Sequence, residues 1–207
     1  MQKITKIVQS SRNSSIIQFD NGSNVEANND IIAKFALSTG QEISDEKYSE
    51  IISENELMIA KQVAYNYATY TARTERQVVE KLKKSGFNEN TIQLAIDFLK
   101  DYYLIDDEKY TASFINEKAK FKKWGINKIK IELLKKGIEK NIIDEKIRDL
   151  YNEEIDFENA IKLAERKMKA IMSKPTEKQR QTLISFLQNK GYKWEIIMKV
   201  LQELKFK

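Results

Sequence analysis

The side chains that most often do chemistry are scarce in this chain. Its 207 residues contain no His and no Cys. That removes the commonest general base, the commonest metal ligand, thiolate catalysis and disulfides together. The Ser and Thr hydroxyls have no His to serve as base, and no Ser-x-x-Lys arrangement stands in a context that would activate one. Neither G-x-G-x-x-G nor G-x-x-x-x-G-K-[ST] occurs, so no glycine loop is available to cradle a phosphate. The one acidic cluster, Asp106-Asp107-Glu108, has the residue types of a hard-cation site. Placed just ahead of a helix starting near Glu108, it reads instead as a cap with favourable first-turn charge. No catalytic residue, metal or cofactor is expected, and the chain reads as a non-enzyme.

What the chain offers instead is cations. The segment Lys118 to Lys130 carries six lysines, at 118, 120, 122, 123, 128 and 130, with Phe121 and Trp124 interleaved. Lysines meet phosphates or carboxylates, and an exposed ring can stack on a base. The two aromatics are expected in the core. The lysines fit a contact surface and a solvated face equally well. A second basic group is Arg166, Lys167 and Lys169 with Lys174, Lys178 and Arg180. A third is Arg73, Arg76, Lys81, Lys83 and Lys84. The formal net charge is +5, but residues 1–56 hold 5 basic and 9 acidic side chains, so the remaining body is the basic part. Mild basicity of this kind suits a polyanion or an acidic protein surface.

The elements that must hold these groups are mostly helices. Hydrophobic residues are 41% and charged residues 32%, with one Pro and six Gly, which argues against collagen-like or many-turned all-β folds. No apolar run approaches the ~20 residues that cross a bilayer, and Met1 to Asp20 has no signal-peptide pattern. The expected location is cytoplasmic, with no membrane partner. At the N-terminus, Ile4, Lys6 and Val8, then Ile16 to Phe19, then Asn24 to Ala27 around an Asp20-Asn21-Gly22-Ser23 turn predict a β-hairpin or three-stranded meander. A short helix from Asp30 to Ser38 follows, with Asp30 as N-cap and Gly40 as stop. Three capping-box sequences, beginning at Ser53, Thr74 and Thr176, are each expected to open a helix.

An internal repeat organises the remainder. With Gly86, Gly137 and Gly191 aligned, Leu82, Leu133 and Leu187 stand four residues before. Val78, Ile129 and Leu183 stand eight before. Phe87, Ile138 and Tyr192 follow directly. Ile92, Ile143 and Ile197 stand six after, Ile96, Ile147 and Leu201 ten after, and Leu99, Leu150 and Leu204 thirteen after. The glycines are 51 and 54 residues apart (137−86 and 191−137). Each unit reads as helix, helix, glycine turn, helix, with the glycine as a left-handed C-cap. Further pairs, Ala60/Ala64, Tyr110/Phe114 and Ala160/Ala164, mark the first helix. The expected fold is mainly α: an elongated tandem array of three three-helix repeats behind a small N-terminal β element and short helix. The segments are 1–52, 53–105, 106–152 and 153–207. Stacked units share buried surface, and at about 20 Å per unit the body is expected to be curved and ~60 Å long.

The residues also resemble a known family. Tyr67-Ala68-Thr69-Tyr70-Thr71-Ala72-Arg73-Thr74-Glu75 is similar to the tyrosine-rich helix leading into Arg-x-Glu of RecX proteins. Val79 to Phe87 continues the likeness. Leu99 with Tyr103 to Tyr110 resembles the family's hydrophobic-D-D stretch, and Lys123-Trp124-Gly125 with Ile129 to Ile138 its K-x-G…I-x-x-E-L-x-x-K-G-I segment. The likeness covers about residues 57–205. Ser85 departs from the usual basic residue before the glycine, the third repeat has an extra loop at Ser173-Lys174-Pro175, and several usual arginines are lysines here.

The resemblance implies a non-enzymatic regulator of the RecA recombinase. It would lie in the groove of the RecA–DNA filament and limit ATP hydrolysis, strand exchange and coprotease activity in DNA repair and recombination. By position, the candidate contacts to recombinase or DNA are Arg73, Arg76, Lys83, Lys84, Lys120, Lys122, Lys123, Lys128, Lys130, Arg166 and Lys167. DNA could be met directly or through the filament, and a monomer is expected. Two other readings stay open: a helix-turn-helix-like module that binds DNA without recombinase, and a scaffold with other partners.

Overall fold

The structure, a computed structural model, describes residues 1–206. The chain divides into two units, Met1–Ala72 with Val78–Ile105, and Arg73–Gln77 with Asp106–Lys207. Ten helices and four strands lie among the described residues, so the expected mainly helical fold with a small N-terminal β element holds.

In the first unit, β1 (Gln2–Gln9), β2 (Ser14–Phe19) and β3 (Asn24–Asn28) form the expected antiparallel meander. A two-residue strand, β4 (Glu42–Ile43), adds to the far side of β1, giving the order β3-β2-β1-β4. Alternate residues Ile4, Ile17, Phe19 and Ala27 turn inward and join Ile31, Leu37, Ile43 and Ile51 in one core, as a half-buried sheet requires. The helix expected from Asp30 to Ser38 is shorter. α1 spans Asn29–Lys34, and its cap is Asn28, whose side chain accepts from the Asp30 N–H at 2.9 Å. It ends when Ala36 takes φ 48° and the Leu37 N–H turns back to the Ile32 carbonyl. Gly40 lies in the loop beyond and does not stop the helix.

α2 (Asp45–Tyr70) serves two cores. Its N-terminal half covers the sheet through Ile51. Asn55 fixes the register, its Oδ1 accepting from the Asn28 N–H (2.9 Å) and its Nδ2 donating to the Glu26 carbonyl (3.0 Å). Its C-terminal half buries Ala60, Ala64 and Ala68 against Val78 and Leu82 of α3 (Glu75–Lys84) and Ile92, Ala95, Ile96 and Leu99 of α4 (Glu89–Asp101). Small residues at i, i+4 and i+8 let the helices approach closely. The expectation that Ser53 opens a helix is wrong. Ser44 is the cap, accepting from the Lys47 N–H at 3.2 Å, and the helix passes through residues 52 and 53 unbroken. A Ser-x-x-Glu sequence caps only where the chain before it is not already helical.

In the second unit, α5 (Asp107–Lys120), α6 (Ile126–Lys135) and α7 (Lys140–Leu150) enclose Phe114, Ile115, Ile129, Leu133, Ile138, Ile143 and Ile147. α8 (Glu153–Lys169), α9 (Thr176–Lys190) and α10 (Trp194–Glu203) enclose Ala160, Ala164, Leu183, Leu187, Tyr192, Ile197, Val200 and Leu201. Asp106 caps α5 by accepting from the Lys109 N–H at 2.9 Å, as expected of the acidic cluster. The box at Thr74 forms fully: Thr74 Oγ1 accepts from the Gln77 N–H, and Gln77 Oε1 from the Thr74 N–H. The box at Thr176 does not. Pro175 is the cap position, Thr176 is already helical, and Gln179 donates instead to the carbonyls of Met172 and Lys174.

The three repeat glycines share one conformation, φ 89°, 85° and 89° at Gly86, Gly137 and Gly191. Each is followed by a 6→1 bond, from Phe87 to Leu82, Ile138 to Leu133 and Tyr192 to Leu187, the Schellman closure of a helix. The repeat columns are buried except that Phe87 and Leu204 are half-buried and Leu150 is exposed. Leu150 ends α7 and is 40% exposed.

Candidate partner-binding surface

Two joints in the second unit are built alike. At the first, the C-terminal turn of α6 meets the first turn of α3. The Thr74 hydroxyl donates to the Lys136 carbonyl at 2.7 Å, and a Cβ on Gly137 would run into the Arg76 side chain. At the second, the C-terminal turn of α9 meets the start of α6. The Gly125 N–H donates to the Lys190 carbonyl (2.9 Å) and the Asn127 N–H to the Gly191 carbonyl (3.0 Å). A Cβ on Gly191 would strike the backbone of Lys128, and one on Gly125 the backbone of Gly191. Thr74 and Gly125 are 51 residues apart, as are Gly86 and Gly137 (125−74 and 137−86). In each joint the orphan carbonyls at one helix end meet donors at the start of another, so each end satisfies the other and the helix dipoles oppose favourably. Gly86 differs: a Cβ there would meet nothing within 4 Å.

These joints absorb part of the expected cation set. The Arg76 side chain lies against Gly137, and the Lys128 backbone against Gly191. Lys128 Nζ also sits 4.6 Å from the Trp124 ring centroid. Lys123 is half-buried with φ 50°, and its carbonyl accepts from the Tyr192 hydroxyl at 2.8 Å. Lys130 ties α6 to α7 through Asp144 at 2.7 Å, which holds that carboxyl below its ordinary pKa. Lys167 packs over Phe186, 5.5 Å from the centroid, and Arg73 is half-buried. Lys83, Lys84, Lys120, Lys122 and Arg166 are exposed, as is Arg76 despite its contact with Gly137. Trp124 is half-buried against Phe114, as expected of a core aromatic. Phe121 is not: it lies at the C-cap of α5 and is 72% exposed. The interleaving of lysines hid the difference, because only the helix end at Lys120 separates the two rings.

Charge is sorted by helix. Each second helix is net positive: α3 carries Arg76, Lys81, Lys83 and Lys84 against Glu75 and Glu80. α6 carries Lys128, Lys130 and Lys135 against Glu132. α9 carries Lys178, Arg180 and Lys190 against Glu177. The third helices are not. α4 has Lys100 against Glu89, Asp97 and Asp101, α7 is balanced, and α10 has Lys199 against Glu195 and Glu203. The links that precede α3, α6 and α9 add Arg73, Lys122 and Lys123, and Lys174. Sequence reasoning missed one polar site, Asp156. It is 3% exposed on α8, accepts from the Tyr151 hydroxyl, and is pushed up to about 6 by burial. Burial likewise raises the Tyr151 and Tyr192 phenols. Among the described residues no His/Cys/Asp/Glu group could hold a metal ion, and no helix is long and apolar enough to cross a membrane.

Comparison with known proteins accounts for the triplication. Family models for the first, second and third three-helix domains of RecX match residues 60–99, 106–147 and 153–201. A regulatory protein RecX of Clostridium tetani is 35% identical over 209 residues, covering 99% of this chain and 95% of that protein. One of Clostridium perfringens is 33% identical over 208 residues, covering 99% and 97%. The chain belongs to the RecX family. A crystal structure of regulatory protein RecX matches with a TM-score of 0.75 and 25% identity over 98% of this chain and 100% of that one. RecX from Lactobacillus salivarius gives 0.68 and 28% over 74% and 99%. The name carried by the RecX relatives gives the chain a regulatory role. The three RecX domains fall on the helix triplets ending at α4, α7 and α10.

Proposed function

We propose that this chain is a non-catalytic regulator that binds the RecA–DNA filament along its groove and restrains the recombinase: ATP hydrolysis, strand exchange and coprotease activity. The observation that carries the reading is the sorting of charge. Cations gather on the second helices and on the links before them, once per repeat, so each repeat offers the same mildly basic face to a partner that itself repeats. Arg76, Lys83, Lys84, Lys120, Lys122 and Arg166 are the exposed contacts of this proposal. Arg73, Lys123, Lys128, Lys130 and Lys167 are half-buried and support them: Lys123 and Lys128 at the α9–α6 joint, Lys130 between α6 and α7, Lys167 over Phe186. Family membership supports a regulatory rather than a chemical role.

A helix-turn-helix module acting on bare DNA is less favoured. Such a module reads the major groove with a basic recognition helix, and α4, α7 and α10 carry as many acids as bases or more. The experiment is recombinase ATP hydrolysis on single-stranded DNA with and without this protein. Inhibition at stoichiometric protein is expected. Unchanged hydrolysis, together with tight binding to DNA alone that falls by about 0.9 log units per phosphate contact per tenfold salt, would replace this reading with the direct one.

A further inference from the structure

The turn bearing Phe121 is held firmly. The Phe121 N–H donates to the Glu117 carbonyl (2.9 Å) and the Trp124 N–H to the Lys118 carbonyl (3.0 Å), while left-handed Lys123 is tied to Tyr192. A ring 72% exposed on so fixed a turn is presented to solvent without contributing to a core. The link before α9 does the same with Met172, which is 70% exposed on a turn closed by Gln179. In the first unit Tyr70, the last residue of α2, is 88% exposed. The three positions are 51 residues apart (121−70 and 172−121).

A large exposed apolar side chain at or just past the end of the first helix in every repeat (the last residue of α2, the C-cap of α5, two residues past the C-cap of α8) marks a contact more than an accident of packing. The residue type changes from Tyr to Phe to Met. What persists is size and apolarity, not a ring. Stacking on nucleobases needs a ring face, whereas Met fills irregular apolar pockets in proteins. Cations flank both positions in the second unit: Lys120, whose Nζ is 5.7 Å from the Phe121 centroid, and Lys122 there, and Lys169 and Lys174 around Met172. An apolar anchor inside a charged rim is the usual form of a protein–protein hot spot, and a cationic rim calls for an acidic one opposite.

We propose that Phe121 and Met172 are apolar anchors that enter apolar, acid-rimmed pockets on the protein subunits of the filament and do not stack on its nucleic acid. This rests on the filament reading above. The test measures binding of full-length protein to recombinase filaments on single-stranded DNA and, separately, to a bare oligo(dT). Phe121→Ala and Met172→Ala should each weaken filament binding by about tenfold while leaving oligo(dT) affinity and melting temperature unchanged. Phe121→Met should restore filament binding to within about twofold, because Met already serves at position 172. Filament binding unchanged in both alanine variants would overturn the proposal. So would a Phe121→Met variant as weak as Phe121→Ala with a parallel loss of oligo(dT) affinity, since that assigns the ring to base stacking. Wild-type protein that fails to bind filaments sinks the filament reading as well, whereas wild-type binding with unaffected variants sinks the anchors alone.

Discussion

The Tyr192 phenol donates to the backbone carbonyl of Lys123 across 2.8 Å. Tyr192 directly follows the third repeat glycine, and Lys123 lies in the link of the second repeat. The bond therefore ties the core of one repeat to the turn that presents Phe121 and Lys122 in another. Left-handed φ at a lysine costs energy that its surroundings must repay, and this bond is part of the return. Replacing Tyr192 by Phe should cost about 1–2 kcal/mol in urea denaturation. It should also weaken filament binding, although residue 192 is buried.

The joints predict an order among the glycines. Gly86→Ala should lose only what left-handed φ costs a side chain, about 1–2 kcal/mol. Gly191→Ala adds a collision with the Lys128 backbone and should lose clearly more. Equal losses by thermal denaturation would show that the α9–α6 joint yields freely.

Core position, not hydrophobicity, decides the value of the repeat leucines. Leu133 is fully buried, and its replacement by Ala should cost ~2–5 kcal/mol. Leu150 occupies a repeat column but is 40% exposed, so its replacement should cost well under half as much.

Asp156 makes stability depend on pH with an unusual sign. Its folded pKa, about 6, lies above the unfolded value of about 3.9. The folded state therefore binds the extra proton. The stabilisation is full below about pH 4, declines as pH rises towards 6, and is absent above. Lys193 and Glu153 also face the carboxyl and oppose each other. Asp156→Asn keeps an acceptor for Tyr151 and removes the titration. Unfolding free energies of wild type and variant should diverge between pH 4 and 6.5, with the variant more stable, relative to wild type, at neutral pH. Parallel curves would show that the carboxyl titrates normally.

For the exposed cations, Lys120→Glu with Lys122→Glu should raise the protein concentration needed for half-inhibition of recombinase ATP hydrolysis by about tenfold, with stability within ~0.5 kcal/mol of wild type. Lys123→Glu is a poorer probe, because its left-handed turn would confound loss of charge with loss of structure. Normal inhibition by the double variant would make those lysines mere solvated surface.

Much of this protein is legible in one dimension. The apolar columns around Gly86, Gly137 and Gly191 identify three copies of one helical unit, because burial on a helix leaves a 3.6-residue trace and a left-handed cap leaves a glycine. The strands of the meander show through their alternation for the same reason. The cap at Thr74 forms as expected; Ser53 does not cap because the chain before it is already helical, and Thr176 does not because Pro175 takes the cap position. The lysine-rich segment marks the region of the candidate surface but not which of its members are exposed. That was decided by contacts between residues about 50 to 70 positions apart: Gly191 under Lys128, Tyr192 on Lys123, Thr74 on Lys136. Such pairs carry no local periodicity. Only the folded chain shows that Arg76 and Lys128 belong to the joints, that Phe121 faces water, and that Asp156 keeps its proton longer than a surface carboxylate would.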